Sequence, residues 1–392
     1  MRTTPDLRNA DPDDEAPLLA AIDRWCAKEV KPIARQYDHA DRYPTQTVEQ
    51  MKELGLFGAT IAAEYGGLGL PSSTYAKIVM RISRDWMAIT GIFNSHLMLA
   101  LAIQKFGTKA QKEAWLPRLA KGEVRGGLAL TEPDAGTDLQ AIRTTARRQA
   151  DGSYLINGTK TWISNGIEGS CFALLVKTNP DAQPRYKGMS LFIAPKWPGF
   201  TVGRKLEKLG YKSIDSGELV FDGYRLSADH LIGGVEGQGF IQATGGLELG
   251  RINVAARGVG VAEGALQLAT EYAQVRKTFG KPICEHQAIQ LKLGDMATRA
   301  RAARLLTLDA AAAFDRGERC DMEAGMAKYF ASEAALENSI ESLRIHGGYG
   351  YSKEFDVERL YRDAPLMCIG EGTNEMQRII IAKQWIKRNP QQ

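Results

Sequence analysis

One carboxylate near the C-terminus, Glu371, stands between two glycines in the stretch IGEGTNEMQRIIIAKQWIKR. The apolar spacing that follows predicts a helix, and an acid in a first helical turn is stabilised by the helix dipole and by free backbone N–H groups. The same carboxylate, held in a loop that a substrate can reach, could instead act as a general base. The local pattern favours the helix-terminus interpretation, and only the rest of the chain can decide between the two.

Two stretches in the middle of the chain carry groups that could bind a ligand. In LALTEPDAGTD (128–138), Thr131 and Thr137 offer hydroxyls, and the loop around Gly136 could expose backbone N–H groups to a polar ring edge or a phosphate. In NGTKTWISNG (157–166), Trp162 and Ser164 share one face of a predicted strand. The alternatives are an ordinary turn for the first stretch and a core tryptophan for the second.

Two further stretches lie in the C-terminal third. RKTFGKPICEHQAIQ (276–290) opens with Arg276, whose planar fork could clamp a pyrophosphate or could simply be solvated. LRIHGGYGYS (343–352) ends a predicted helix in a glycine-rich loop. Such glycines allow a ligand to approach the backbone closely, but they also end helices where no ligand binds.

Several familiar motifs are missing from the sequence. There is no G-x-x-x-x-G-K-[ST] and no H-E-x-x-H, and GVGVAEG (258–264) lacks the dinucleotide-binding spacing. Because GVGVAEG lies inside a predicted helix, its glycines are assigned to close helix packing. The five histidines show no metal-ligand spacing, so no metal is predicted. The five cysteines are scattered, which predicts no disulfide framework and a reducing compartment.

Length and composition set the scale of the fold. A chain of 392 residues with 44% hydrophobic composition should form two or three domains. The net charge of +4 is spread along the chain, which disfavours a nucleic-acid partner. The acidic N-terminal stretch has no apolar core, and no window approaches the roughly 18 apolar residues of a membrane span. We therefore expect a cytoplasmic protein without a membrane partner.

The spacing of apolar residues and turn signals changes twice along the sequence. Helical spacing fills residues 1–124, which predicts an N-terminal all-α domain. Short β-rich runs separated by turn signals fill residues 125–234, which predicts a middle antiparallel β-sheet or small barrel. Long Ala-rich helical segments return over residues 235–392, which predicts a C-terminal four-helix bundle.

With its motifs in this order on an α–β–α plan, the sequence resembles the acyl-CoA dehydrogenase family of flavoenzymes. The resemblance covers nearly the whole chain and rests on EYGGLG, LTEPDAGTD, GTKTWISNG, RKTFGKPI, HGGYGY and EGTNEMQR. It implies non-covalently bound FAD and oxidation of an acyl-CoA to its trans-2-enoyl-CoA. It also implies transfer of the electrons to an electron-transferring flavoprotein and assembly into a homotetramer, as a dimer of dimers.

The resemblance also implies which residues hold FAD. One group would contact the flavin of its own subunit, and a second group, which includes Arg276 and Gly348, would reach the FAD of a neighbouring subunit. Arg344 and Glu375 each stand where many members have Gln. The full implied set is Leu128, Thr131, Gly136, Thr137, Trp162, Ser164, Arg276, Lys277, Thr278, Phe279, Gln287, Arg344, Gly348, Thr373 and Glu375.

For the reaction itself, the resemblance implies that Glu371 is the catalytic base. A minority of the family carry the base on a long helix, at the position of Gly250 here, and glycine cannot serve. Contacts to the substrate are implied for five residues, with Glu248 and Arg251 on the CoA portion. These five are Thr137, Glu248, Arg251, Gly370 and Gly372.

The substrate is the least determined part of the prediction. Gly370 replaces a frequent Tyr and leaves space beside the base, and the helix RISRDWMAITGIFNSH should direct Ile89, Phe93 and Asn94 toward the acyl tail. Arg81 or Arg84, if turned inward, would indicate a carboxylate on the substrate, whereas the alternative is that both are solvated. We expect a short, branched, ring-bearing or carboxylated acyl group. The alternative functions are an oxidase-like reaction on the same scaffold and a DNA-binding relative of the family.

Overall fold

Helices and strands fall into three blocks along residues 15–391, the part of the chain that the computed structural model describes. The acidic stretch 1–14, on which the prediction of no targeting peptide rested, lies outside the described residues. The predicted order of helical, β and helical sections is confirmed.

The N-terminal block is helical. Its helices are α1 (Glu15–Trp25), continued by a π turn (Cys26–Val30) into α2 (Lys31–Ala40), then α3 (Thr45–Glu53), α4 (Ser72–Phe106) and α5 (Lys109–Ala120). Helix α4 is long and apolar enough to cross a membrane, yet 89% of its most apolar window is buried inside the protein. Its apolar run is therefore accounted for by packing against the other helices and the sheet.

The middle block is a single sheet of seven strands. They are β1 (Gly126–Ala129), β2 (Thr145–Arg148), β3 (Tyr154–Ser164), β4 (Cys171–Lys177), β5 (Met189–Pro195), β6 (Phe200–Lys205) and β7 (Ser216–Leu226). The strand order is β1-β4-β2-β3-β7-β6, with β5 also paired to β4. Four pairings are antiparallel as predicted, but β1 and β2 both run parallel to β4. The chain leaves β1 through the loop 130–144 instead of a hairpin, and this permits the parallel pairing.

The sheet is apolar on both faces. One face packs against the helices, and the other covers a separate core that includes Phe172, Phe192 and Tyr224. Strand β4 is buried on both faces, which explains its uninterrupted apolar run CFALLV.

The C-terminal block is a bundle of long helices. Its elements are α6 (Gly239–Thr244), α7 (Leu247–Val275), the hairpin β8 (Lys277–Thr278) and β9 (Lys281–Pro282), α8 (Gln287–Asp315), α9 (Asp321–His346), α10 (Val357–Ile369) and α11 (Asn374–Arg388). Helix α7 packs against α4, α8, α9 and α10. It therefore joins the helical blocks at the two ends of the chain.

Two glycines let α7 approach its neighbours closely. A Cβ at Gly258 would lie 2.6 Å from the Ala331 carbonyl oxygen on α9, and one at Gly260 would lie 2.4 Å from the Met80 carbonyl oxygen on α4. Neither position could hold a side chain without moving a helix. The interpretation of GVGVAEG as a packing segment is thus supported by the structure.

Candidate active site

Glu371 lies in the loop between α10 and α11 and has left-handed backbone geometry, with φ of 56°. Thr373 caps α11, and its side chain accepts a hydrogen bond from the Met376 N–H. Glu371 therefore precedes the helix and is not an acid of its first turn. Its carboxylate faces α7, where a Cβ at Gly250 would lie 3.0 Å from Glu371 Oε2. The helix-terminus interpretation is wrong, because the side chain turns inward to the bundle.

A buried lysine on α9 holds this loop in place. Lys328 Nζ donates to the Gly372 carbonyl at 2.8 Å, to Asn374 Oδ1 at 2.9 Å and to the Cys368 carbonyl at 3.3 Å. Gln377 Nε2 adds a bond to the Gly372 carbonyl at 3.1 Å. Burial lowers the pKa of Lys328 to about 8. The carbonyls on both sides of Glu371 are thus fixed by side chains from α9 and α11.

The surroundings of Glu371 set its proton affinity. Burial raises the pKa of Glu371, and the charges of Arg257, Arg251 and Lys328 oppose that rise. Met98 adds an apolar wall, since its methyl carbon lies 3.5 Å from the position of a Cβ at Gly250. A carboxyl group whose pKa is raised by burial is suited to proton transfer.

Glu248 and Arg251 lie one turn apart at the start of α7. Arg251 is buried, and its Nη1 approaches Asp321 Oδ1 at 3.9 Å. Its Nε has no hydrogen-bond partner among residues 15–391. Burial and the neighbouring Asp321 raise the pKa of Glu248. The structure therefore brings Glu248, Arg251 and Glu371 to one end of α7, whereas the contacts to CoA that the resemblance implies for Glu248 and Arg251 stay predictions.

The loop that follows β1 is held by a buried ion pair. Lys160 Nζ lies 2.8 Å from Glu132 Oε1, and the Glu132 carboxylate also accepts the backbone N–H groups of Arg143 and Thr144. The Thr161 N–H donates to the Thr131 carbonyl at 2.9 Å, which ties the loop to β3. Leu128 and Thr131 are therefore fixed beside the strand that carries Trp162.

Trp162 faces outward. It has φ of 59° at an irregularity in the pairing of β3 with β7, and its side chain is 58% exposed. The core interpretation of this residue is excluded. Ser164, two residues on, is half-buried. A rigidly held, exposed indole is the surface that a flat heteroaromatic ring would cover.

The loop beside Trp162 offers polar groups to such a ring. The Thr131 hydroxyl makes no hydrogen bond within residues 15–391, and Thr137 and Gly136 are exposed. No atom lies within 4 Å of the position that a Cβ at Gly136 would take. Free donors next to an exposed indole fit the ring edge of a flavin.

A second group of predicted residues lies on the outer face of the bundle. The β8–β9 turn places Phe279 and Gly280 at positive φ, and the Phe279 ring is 97% exposed. The Arg276 guanidinium carbon lies 5.9 Å from the centre of the Tyr349 ring, and Thr278 is hydrogen bonded to His286. The remaining exposed members are Lys277, Gln287, Arg344 and Gly348. No hydrogen bond or ion pair within residues 15–391 joins this outer face to Trp162 or Glu371.

The other predicted residues lie in the Glu371 loop itself. Gly370 and Gly372 flank the carboxylate, and Gly372 has φ of 84°. Thr373 is half-buried at the helix cap, whereas Glu375 is exposed. A Cβ at Gly370 would meet only Leu366, at 3.4 Å or more, so the space next to the base is open.

The structure decides between the two alternatives left open for Arg81 and Arg84. Arg81 and Arg84 do not turn inward, because both approach Asp23 on α1, at 3.1 and 3.4 Å. Ile89, Phe93 and Asn94 are buried, and their predicted contact with the acyl tail stays a prediction.

Sequence reasoning missed a polar network that joins Asn94 to α7. Arg257 Nε donates to Asn253 Oδ1 at 2.7 Å, Asn253 Nδ2 donates to the Tyr75 hydroxyl at 2.8 Å, and that hydroxyl donates to Asn94 Oδ1 at 3.2 Å. The available signal was the pair of polar residues four apart inside the apolar run INVAARGVGV.

A carboxylate that faces α7, together with an exposed indole on the sheet of an α–β–α scaffold, is an arrangement expected of a flavin-dependent dehydrogenase. Family models for the acyl-CoA dehydrogenase N-terminal, middle and C-terminal domains match residues 12–123, 127–224 and 237–386 in turn. The chain belongs to the acyl-CoA dehydrogenase family, whose members are FAD-dependent oxidoreductases.

Relatives match along almost their full length. An acyl-CoA dehydrogenase from Bacillus subtilis is 44% identical over 92% of this chain and 94% of its own. An acryloyl-CoA reductase (NADH) from Anaerotignum propionicum is 40% identical over 95% of both chains.

Solved structures share the fold closely. Butyryl-CoA dehydrogenase from Megasphaera elsdenii superposes with a TM-score of 0.92 at 35% identity, over 96% of this chain and 98% of its own. A chain from a study of the electron transferring flavoprotein of Acidaminococcus fermentans gives 0.93 at 35% identity, over 97% and 99%. A glutaryl-coenzyme A dehydrogenase in complex with glutaryl-CoA gives 0.91 at 35% identity, over 97% and 96%.

Proposed function

We propose that this chain oxidises a short acyl-CoA thioester to the trans-2-enoyl-CoA, with Glu371 as the base that removes the α-proton. One observation carries the proposal: the Glu371 carboxylate is turned by a left-handed backbone into the cleft, where it faces Gly250. Gly250 offers no competing base, and because a Cβ there would lie 3.0 Å from Glu371 Oε2, glycine lets the carboxylate approach α7 closely.

The proposed role of Glu371 requires a particular protonation state. The carboxylate must be ionised to accept the α-proton, and burial raises its pKa so that it binds that proton more tightly. The charges of Arg257, Arg251 and Lys328 limit the rise. Burial therefore increases the proton affinity of the carboxylate, while the three cations favour its ionised form.

The thioester must also be activated, because its α-proton is too weakly acidic for a carboxylate to remove unaided. The Glu371 N–H makes no hydrogen bond within residues 15–391 and is available to the thioester oxygen. A donor at that oxygen stabilises the negative charge that develops as the proton leaves. When bound, FAD supplies the acceptor for the hydride that leaves the β-carbon.

The residues that hold FAD and CoA are part of the proposal. Trp162, Thr131 and Ser164 would lie against the flavin, and Glu248, Arg251 and Thr137 would contact the CoA arm. The outer face around Arg276 would reach the FAD of a second subunit in a homotetramer. Exposed Phe279, Arg276 and Gly348 support this, since a ligand or partner would cover them.

An electron-transferring flavoprotein is the proposed electron acceptor, and a cytoplasmic location remains a prediction. The likeness to a chain from an electron transferring flavoprotein study supports the acceptor. The structural relatives include a butyryl-CoA dehydrogenase and a glutaryl-coenzyme A dehydrogenase in complex with glutaryl-CoA. Butyryl and glutaryl groups both fall within the proposed class of short acyl substrates.

The test is anaerobic mixing of the flavin-loaded protein with a panel of acyl-CoA thioesters. The panel holds straight, branched, ring-bearing and dicarboxylic acyl groups, and free CoA is the control. We expect loss of the oxidised flavin absorbance with at least one thioester and slow return in air, but fast return with electron-transferring flavoprotein. Fast return in air would indicate an oxidase, and a flavin that no thioester reduces would contradict the proposal.

A further inference from the structure

Arg257 lies on α7, seven residues after Gly250, and is only 5% exposed. Residues seven apart share nearly the same face of a helix, so Arg257 lies on the side of α7 that faces the Glu371 carboxylate. Helical side chains lean toward the N-terminus, and the bond from Arg257 Nε to Asn253 Oδ1 shows this lean. The guanidinium is thus displaced about one turn, roughly 5 Å, along the axis from Gly250.

The hydrogen-bond partners of Arg257 are neutral. Nε donates to the Asn253 amide oxygen, and Nη1 donates to the Tyr211 hydroxyl at 3.1 Å. Within residues 15–391, the two other buried arginines approach carboxylates, Arg251 at Asp321 and Arg359 at Asp356. Within residues 15–391, no carboxylate lies at ion-pair distance from Arg257. A buried cation without a close counterion is unfavourable, unless a ligand supplies the anion.

Tyr211 is positioned to share that anion. Its hydroxyl lies 1.5 Å from where a Cβ at Gly91 would stand, so glycine at that point of α4 makes room for it. Burial raises the pKa of Tyr211, and the hydroxyl therefore keeps its proton. It accepts from Arg257, and its own O–H remains free to donate. A guanidinium and a phenol side by side are donors that match a carboxylate.

We propose that Arg257 and Tyr211 bind the distal carboxylate of a dicarboxylic acyl-CoA with about four to six acyl carbons, a length that spans about one helical turn. This inference rests on the proposed function, because it places the α-carbon of the substrate at Glu371. Asn94, Tyr75 and Asn253 hold the arginine in position and do not contact the reacting atoms. Arg257 is therefore the specificity-determining residue of the cleft.

The competing explanation is that Arg257 acts only on Glu371. Among the charges that lower the pKa of Glu371, Arg257 has the largest effect. If that were its whole role, its loss would slow every acyl-CoA by the same factor. If Arg257 binds the substrate, its loss would slow carboxylated thioesters more than uncharged ones. Comparing the rates of the two kinds of thioester therefore distinguishes the two roles.

The first experiment uses the unaltered holoenzyme. The values of kcat/KM for glutaryl-CoA and adipyl-CoA are compared with those for their terminal methyl esters and for hexanoyl-CoA. We expect the free acids to be preferred by about 10- to 100-fold, the range for hydrogen bonds to a charged group. Preference for an uncharged thioester would overturn the inference but leave the proposed function standing. Failure of every thioester to reduce the flavin would instead overturn the proposed function.

The second experiment changes the arginine. Arg257→Gln should raise the KM for the preferred dicarboxylic thioester by about 100-fold while hexanoyl-CoA turnover changes much less, and Arg257→Lys should restore part of the loss. Arg84→Gln removes an arginine that approaches Asp23 and should leave the preference unchanged. Flavin absorbance and thermal unfolding report whether the variants fold. An equal loss on charged and uncharged thioesters in Arg257→Gln would contradict the inference.

Discussion

At the scale of single residues, Glu371 depends on groups that are distant in the sequence. The stretch EGTNEMQR was enough to identify Glu371 as a candidate base. Gly250 stands at the other position where members of the family carry a base, so Glu371 was left as the only candidate of the two. Lys328 and Arg257 could not be assigned from the sequence, because each meets the loop or the cleft only through long-range packing. A buried lysine or arginine inside a helical pattern looks the same as a solvated one until the fold is known.

Gly370 provides a residue-scale test of substrate shape. Its backbone has φ of −72° and ψ of 158°, which any residue can adopt, and a Cβ there would clash with nothing. Gly370→Tyr should fill the space beside the base and reduce kcat/KM for branched thioesters by about 10-fold or more relative to straight butyryl-CoA. Parallel changes on branched and straight substrates would show that the open space has no role in selection.

At the scale of elements, the apolar spacing predicted which segments are helices and which are strands, but it did not predict which strands pair with each other. The run CFALLV predicted a strand, yet its parallel pairing with β1 depends on the path of the loop 130–144. The sequence allowed Trp162 to be either a core residue or part of a ligand-binding surface. The irregular pairing of β3 with β7 at this residue turns its side chain outward, which excludes the core position. Periodicity determines which face is apolar, whereas register depends on contacts between distant segments.

The loop between α10 and α11 depends on Lys328. Lys328→Met keeps the length of the side chain but removes the donor that three oxygen acceptors share, which leaves the Gly372 carbonyl with Gln377 and Asn374 Oδ1 with Ser332. We expect a loss of about 1–3 kcal/mol in unfolding free energy and a fall in kcat of at least 10-fold, with flavin content unchanged. Lys52→Met, on the surface of α3, is the matched control. Unchanged kcat in Lys328→Met would show that the loop holds Glu371 without this lysine.

Helix α10 contributes a pH-dependent term to stability through Asp363. Burial, followed by the nearby Asp38, raises the pKa of Asp363 to about 7. The native state then binds a proton that the unfolded chain releases, so stability falls as pH rises from about 4 to 7. Asp363→Asn removes this term and keeps Oδ1 as acceptor for the Tyr211 N–H.

The expected result for Asp363→Asn is a higher Tm than the parent at pH 8 and a much smaller difference at pH 5. The reason is that Asp363 is protonated in the parent at pH 5 and carries no charge to bury. Thermal unfolding of both proteins at the two pH values measures the effect. The same difference in Tm at pH 5 and pH 8 would mean that Asp363 is not protonated in the native state.

At the scale of the whole molecule, one chain holds Glu371 and the exposed Trp162 indole but leaves a second set of predicted residues on its outer face. Arg276, Phe279 and Gly348 are exposed there, away from Glu371. A complete cofactor site would form if this face meets a second copy of the chain. The sequence could indicate this assembly only through the family resemblance. Exposed residues in a single chain do not identify the partner that covers them.

Arg276→Ala tests that assembly. If the guanidinium pairs with a diphosphate of the neighbouring subunit, its loss should lower the FAD content below one per chain and weaken the tetramer. Flavin absorbance and sedimentation measure the two effects. Arg225→Ala, which removes an exposed arginine paired with Asp151 on the sheet, should change neither. Full flavin occupancy with an unchanged assembly would place Arg276 in solvent.

The most direct test of Glu371 as the base is a stopped-flow comparison of the parent protein with Glu371→Gln. The variant keeps the shape of the side chain but cannot accept the α-proton, so we predict normal flavin content, normal acyl-CoA binding and flavin reduction slower by at least about 10²- to 10⁴-fold. Glu113→Gln, an exposed position on α5, should reduce at the parent rate. Reduction of Glu371→Gln at a near-normal rate would contradict the account.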